Sequence, residues 1–112
     1  ETRQPAVTGV LDCFPRNLLP RGSGSGNVTP TFTWLAPTNP PPFYTYGLWI
    51  GVNNGGQVWS YWDMPSTQTS VLYNVDGEAS QPTLTVGTTY RWGLNVIDAN
   101  GNEAQAQATY TP

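Results

Sequence analysis

The stretch from Leu84 to Gly101 constrains the fold more than any other part of the chain. From Tyr90 onward its apolar residues fall on every second position. Tyr90, Trp92, Leu94 and Val96 share one face, and Arg91, Gly93, Asn95 and Ile97 share the other. Successive side chains of a β-strand point to opposite sides, so this is a strand with one buried and one mostly wet face. It runs out at Asn100-Gly101, a pair that accepts the positive φ angles of a tight hairpin. Such a strand needs a second apolar layer to cover it.

The remaining residues supply that layer as further strands. Thr31 to Leu35 alternates, with Phe32 and Trp34 on one face. The prolines from Pro37 to Pro42 then forbid helix and ladder pairing. In Tyr44 to Val52, Tyr46, Leu48, Ile50 and Val52 face one way, and Thr45, Gly47, Trp49 and Gly51 the other. Asn53-Asn54-Gly55-Gly56 signals a hairpin, and Gln57 to Trp62 returns as a strand. Thr69 to Tyr73 is short and rich in strand formers. Thr83 to Val86 leads into the strand at Thr89 to Asp98. Asn102 to Tyr110 closes the chain with Ala104, Ala106 and Ala108 opposite Glu103, Gln105 and Gln107.

Residues 6–12 form a candidate first strand, interrupted by Gly9. Cys13 to Pro30, with Gly22-Ser-Gly-Ser-Gly26, reads as a flexible connection. The expected division is therefore residues 1–22, an N-terminal strand or extension whose place is left open, and residues 23–112, the sandwich, all within one domain. No segment of useful length has helical periodicity. The expected fold is all-β, a seven-stranded antiparallel β-sandwich. Its expected core is Phe32, Trp34, Leu48, Ile50, Leu84, Tyr90, Trp92, Leu94 and Val96.

Leu84, Thr88 and Tyr90, followed by alternating apolar residues and then Asp98 and Gly101, resemble the fibronectin type III module. In that family a Leu-x-x-x-Thr-x-Tyr element places a tyrosine corner before strand F. Thr31-Phe-Thr-Trp34-Leu-Ala-Pro37 looks like strand B, with Trp34 as the core tryptophan. Tyr46-x-Leu48-x-Ile50 is similar to strand C. The resemblance covers roughly residues 28–110, and related immunoglobulin-like sandwiches fit nearly as well. Two features depart from it. Val86 stands where the family usually has proline, and the segment before Thr31 is longer than the family needs. No Arg-Gly-Asp tripeptide occurs, so integrin-type adhesion does not carry over.

Composition narrows the chemistry. Histidine is absent and so is lysine, so no Ser-His, Cys-His or Ser-Lys couple and no Schiff base can form. The seven acids fall mostly at expected turns and strand ends. The expectation is no enzyme and no cofactor. Zinc lacks a Cys or His cluster and haem lacks a ligand. Asp98 to Glu103 offers oxygen ligands for calcium, but its Gly101 stands at the fourth place, not the sixth, and a hairpin is the favoured reading. Four arginines spread along a chain of net charge −3 make nucleic acid an unexpected partner. No apolar run is long enough for membrane insertion. Cys13 is the only cysteine, so no intrachain disulfide is possible; it is read as a small buried filler, the alternative being a reactive or intermolecular thiol. Asn27-Val-Thr29 is a formal glycosylation sequon, read as a plain loop.

The aromatics beyond the core remain. If Leu48 and Ile50 point inward, Trp49 points out. Val58 and Trp62 are expected to join the core, and Trp59 and Tyr61 to point out. The possible binding face is then Trp49, Trp59, Tyr61, Asn95, Gln105 and Gln107. Flat aromatics beside amides can stack on sugar rings or contact another protein. Alternatively, Trp49 simply fills the space above Gly93. The expected function is a non-catalytic extracellular or cell-surface module, secreted as part of a larger protein or assembly, serving as a spacer or a contact for other protein modules or subunits. Carbohydrate binding through the exposed Trp and Tyr is one alternative. The other is a polymer subunit whose N-terminal segment pairs with a neighbour's edge strand.

Overall fold

The computed structural model describes residues 13–112. The candidate strand at residues 6–12 lies outside them. Eight strands are formed among the described residues, in two sheets. The expected count of seven is corrected to eight, and the reason lies in the segment read as a flexible connection. Arg16–Leu19 is β1 and Gly22–Ser23 is β2. β1 pairs antiparallel with β3 (Thr31–Leu35), whereas β2 pairs parallel with β8 (Glu103–Thr111). The chain thus crosses from one sheet to the other at Pro20, which has no N–H to continue a ladder. The Gly/Ser run is held to β8: Gly24 N–H donates to the Thr111 carbonyl at 3.1 Å, and Ser25 shares a hydrogen bond with the Tyr110 hydroxyl. Residues 13–22 therefore belong to the sandwich.

One sheet has the order β1-β3-β6, with β6 at Ser70–Leu72. The other has the order β2-β8-β7-β4-β5, with β4 at Tyr44–Val52, β5 at Gln57–Pro65 and β7 at Tyr90–Asp98. Apart from the β2–β8 pair, every pairing is antiparallel. The β7 ladder is regular on both sides: Leu94 faces Leu48 on β4 and Ala106 on β8. This regularity follows from the strict alternation in its sequence.

The inner faces meet in an aromatic core. All nine residues expected there are buried, joined by Tyr46, Trp59, Met64, Tyr73 and Tyr110. Trp92 lies at its centre, 4.7 Å from Phe32 on the opposite sheet, and its indole N–H donates to the Pro20 carbonyl at 2.9 Å. Trp34 packs edge-on against Tyr46, which meets Tyr44 edge-on. Trp34 Nε1 and the Tyr46 hydroxyl are buried with no hydrogen-bond partner among the described residues, and burial pushes that hydroxyl well above its usual range. The Tyr90 hydroxyl accepts from the Thr85 N–H at 2.8 Å and donates to Gln81 Oε1 at 2.9 Å, pinning the crossover that precedes β7. Tyr73 donates to the Gln81 carbonyl, and burial pushes its hydroxyl up to about 12.

Two variants separate packing from hydrogen bonding here. Trp92→Ala is expected to cost about 3–5 kcal/mol through lost burial and the cavity left behind. Tyr90→Phe keeps the ring but strands the Thr85 N–H, at about 1–3 kcal/mol. Urea unfolding of both variants measures the difference.

Candidate functional site

The parity of β5 decides which aromatics reach the surface. Ile50 lies opposite Trp59, Trp49 opposite Ser60 and Leu48 opposite Tyr61. The ladder is irregular between Ile50 and Gly51, where Val58 is an extra residue on β5. It is irregular again between Tyr46 and Leu48, where Trp62 and Asp63 together oppose Gly47, with Asp63 at φ 61°. A shift of one residue exchanges the two faces of a strand.

The expected outward placement of Trp59 and Tyr61 is accordingly corrected. Trp59 is 3% exposed, stacks on Phe32 and Tyr61, and donates its indole N–H to Asp76 Oδ1 at 2.9 Å. Tyr61 packs half-buried against the core. Trp62, expected inside, is 45% exposed on the outer face. Val58 is buried as expected, because the bulge beside it lets two successive residues turn inward.

The outer face of the five-stranded sheet is built from glycines and indoles. The Trp49 ring occupies the space that a Cβ on Gly93 would need, at 2.5–2.6 Å from that point. Trp62 covers Gly47 in the same way. The two indoles thus rest over backbone positions diagonal to one another, roughly 7–8 Å apart in an antiparallel ladder.

Beside them runs a continuous row of polar side chains. Asn95 donates to Glu103 Oε1 at 2.7 Å and accepts from Gln105 Nε2 at 2.9 Å. Gln107 donates to Gln105, and Arg91 donates through Nη1 to Gln107 Oε1 at 3.2 Å. Arg91 also donates through Nε and Nη2 to Asn53 Oδ1. Asn95 is 6% exposed, whereas Gln105, Gln107 and Arg91 are exposed. Each amide in the row donates through its NH2 group to one neighbour and accepts at its oxygen from another, so the row is ordered before any ligand arrives. Of the expected binding face, Trp49, Asn95, Gln105 and Gln107 lie together, and Trp62 and Arg91 join them. Two large aromatics three positions apart, Trp59 and Trp62, were the only signal that β5 had an aromatic to spare on each face.

Other candidate groups serve turns. Asp98 accepts from the backbone N–H of Asn100 and Asn102, each at 2.9 Å, and Glu103 turns away to Asn95. Burial of Asp98 works against its charge, yet these hydrogen bonds outweigh it and hold the carboxyl below its usual range. Among the described residues no group of three or more His, Cys, Asp or Glu side chains is placed to hold a metal ion. Asn27 is exposed, with its side chain accepting from the Thr29 N–H at 3.1 Å. Cys13 is buried against the core.

The Asp76 carboxyl is held below its usual range, first by the Trp59 N–H and then by the backbone N–H of Glu78. A lowered value in the folded state means that the stability it adds is complete above the ordinary carboxylate range and drains away as pH falls through and below it. Asp76→Ala is therefore expected to flatten the acid limb of the stability–pH curve, read by thermal melts. Gly47→Ala is expected to lower stability by about 1–3 kcal/mol by displacing Trp62. In a Trp62→Ala background the same change loses most of that cost, and a double-mutant cycle measures the coupling.

No protein-family model matches the chain, and no curated protein matches it.

Proposed function

We propose that this chain is a non-catalytic interaction module of the fibronectin type III kind, acting outside the cell or at its surface within a larger secreted or surface protein or assembly. The fold side of this reading is supported by topology. With β3, β4 and β7 taken as strands B, C and F, strand B sits in the sheet with the first strand, and C, F and the last strand share the other. The Tyr90 hydroxyl bonded to backbone five residues upstream has the form of a tyrosine corner. The absence of His and Lys from the sequence supports the non-catalytic part.

One observation carries the binding role: Trp62 and Trp49 lie beside the pre-ordered amide row on the outer sheet face. A half-exposed indole over rigid backbone presents apolar area at little entropic cost, as interface anchors do. The partners that fit are other protein modules and, through the indole–amide pairing, glycans. Wild-type and Trp62→Ala proteins with matching melting temperatures are to be compared on glycan and extracellular-protein arrays. Loss of about tenfold or more in affinity on truncation is expected for an anchoring tryptophan. Ligands that bind both proteins equally would place the contact elsewhere.

A second reading, assembly by strand exchange, is favoured by the edge of β8. Among the described residues, β2 pairs with Tyr110 and Thr111 of that strand and no further along it. The stretch from Ala106 to Thr109 borders a groove of about 530 Å³ that Leu18 and Arg21 also line. Because β1 and β2 belong to the sandwich, the informative deletion stops at residue 12. Sedimentation mass that falls on this deletion is the expected result for assembly. An unchanged monomer rejects it.

A further inference from the structure

The outer face ends, at the β4–β5 hairpin, in a hollow of about 260 Å³. Three strands shape it. Gly51 on β4 lies between Arg91 on β7 and Gln57 on β5. The Gly56–Gln57 backbone crosses close over it, where a Cβ would stand 2.8 Å from the Gly56 carbonyl oxygen, so glycine lets the hairpin fold down to form the floor of the hollow. Trp49, two residues back on the same face, also lines it. Asn54, from the hairpin, joins the lining.

Arg91 gives this hollow its character. Its side-chain hydrogen bonds among the described residues run to amide oxygens: Nε and Nη2 to Asn53 Oδ1 at 3.3 and 3.2 Å, and Nη1 to Gln107 Oε1 at 3.2 Å. Neutral acceptors orient the guanidinium without cancelling its charge. A guanidinium has five N–H donors, and these bonds leave some unused. Its planar fork matches a carboxylate better than any other common anion except phosphate. The adjoining indole has an electron-rich face suited to the weakly positive C–H groups of a sugar ring. Asn54 and Gln57 add exposed amides that can donate to and accept from hydroxyls.

We propose that this hollow binds the carboxylated pyranose of an acidic polysaccharide, with the carboxylate on Arg91, the ring against Trp49 and the hydroxyls on Asn54 and Gln57. The ring selects a sugar over a plain carboxylate, and the Arg91 cation, which has no ion pair among the described residues, selects an acidic sugar over a neutral one. This assignment rests on the outer sheet face being a binding face, and it extends that reading by naming the ligand class.

The test is calorimetric titration with oligogalacturonate, oligoguluronate and oligomannuronate, each beside its methyl ester, which keeps the ring and removes the charge. At least one free acid is expected to bind and to lose about tenfold or more in affinity on esterification or in Arg91→Gln, the range for a charge-assisted hydrogen bond. Binding of the acid is also expected to weaken with salt. Gln57→Ala, at an exposed rim position, is expected to weaken binding several-fold with no change in melting temperature, and keeps the test informative if Arg91→Gln unfolds. Three results would overturn the proposal: no acid binds, esters bind as well as acids, or Arg91→Gln, well folded, binds as wild type. If neutral oligosaccharides bind in a way that needs Trp62 and not Arg91, the acidic-sugar site fails while the binding face stands. Glycan binding that ignores Trp62, Trp49 and Arg91 alike removes both.

Discussion

The hydrogen bond from the Trp92 indole to the Pro20 carbonyl ties the fold together. Trp92 is the largest fully buried side chain, and it rises from the middle strand of the larger sheet to pack on Phe32 of the smaller one. A buried indole N–H needs an acceptor. The nearest chain is the one crossing between sheets, and at Pro20 it offers a carbonyl that no ladder uses. One contact therefore sets three things together: the separation of the sheets, the place where the first strand breaks, and the start of β2 along β8. Among the described residues the core cluster is made of apolar and aromatic side chains.

The outer face follows a different rule. Its central positions are glycines, which are poor strand residues on their own because they leave backbone uncovered and gain nothing by packing. Here each of two glycines receives an indole from the next strand. The glycine admits a ring too broad for any other site on the sheet, and the ring shields the hydrogen bonds of the ladder. The same pairing lays an aromatic surface close to the sheet plane. Stability and surface chemistry thus have one source, and the row from Glu103 to Arg91 aligns with it because alternate residues of β7 and β8 share that side.

The sequence was most legible where one rule acted alone. β3, β4, β7 and β8 follow from alternation bounded by proline or Asn-Gly signals, and the Trp49–Gly93 pairing was visible as a large residue near a missing one. The first two strands were not legible. Arg-Asn-Leu-Leu is too short to show a period, and Gly22–Ser23 has little strand preference of its own; Tyr110 and Thr111 make it a strand by pairing with it. In β5, Val-Trp-Ser-Tyr-Trp offers large residues to both faces, so hydrophobicity cannot choose the parity. Two bulges choose it, one of them with Asp63 in the left-handed region at φ 61°, and neither carries a pattern that alternation reveals. Arg91 escaped notice for a related reason. A single cation on an alternating strand resembles any solvated residue until Gly51 and Gln57 are seen beside it.

The five tryptophans fall into two optical classes. Trp34, Trp59 and Trp92 sit in the dry interior, whereas Trp49 and Trp62 lie over glycines on the wet side. Loss of the fold exposes the first group to water. Contact at the outer face changes the surroundings of the second group and leaves the first dark to it. The red and blue edges of one emission spectrum therefore report two separate events, with no label added to the chain.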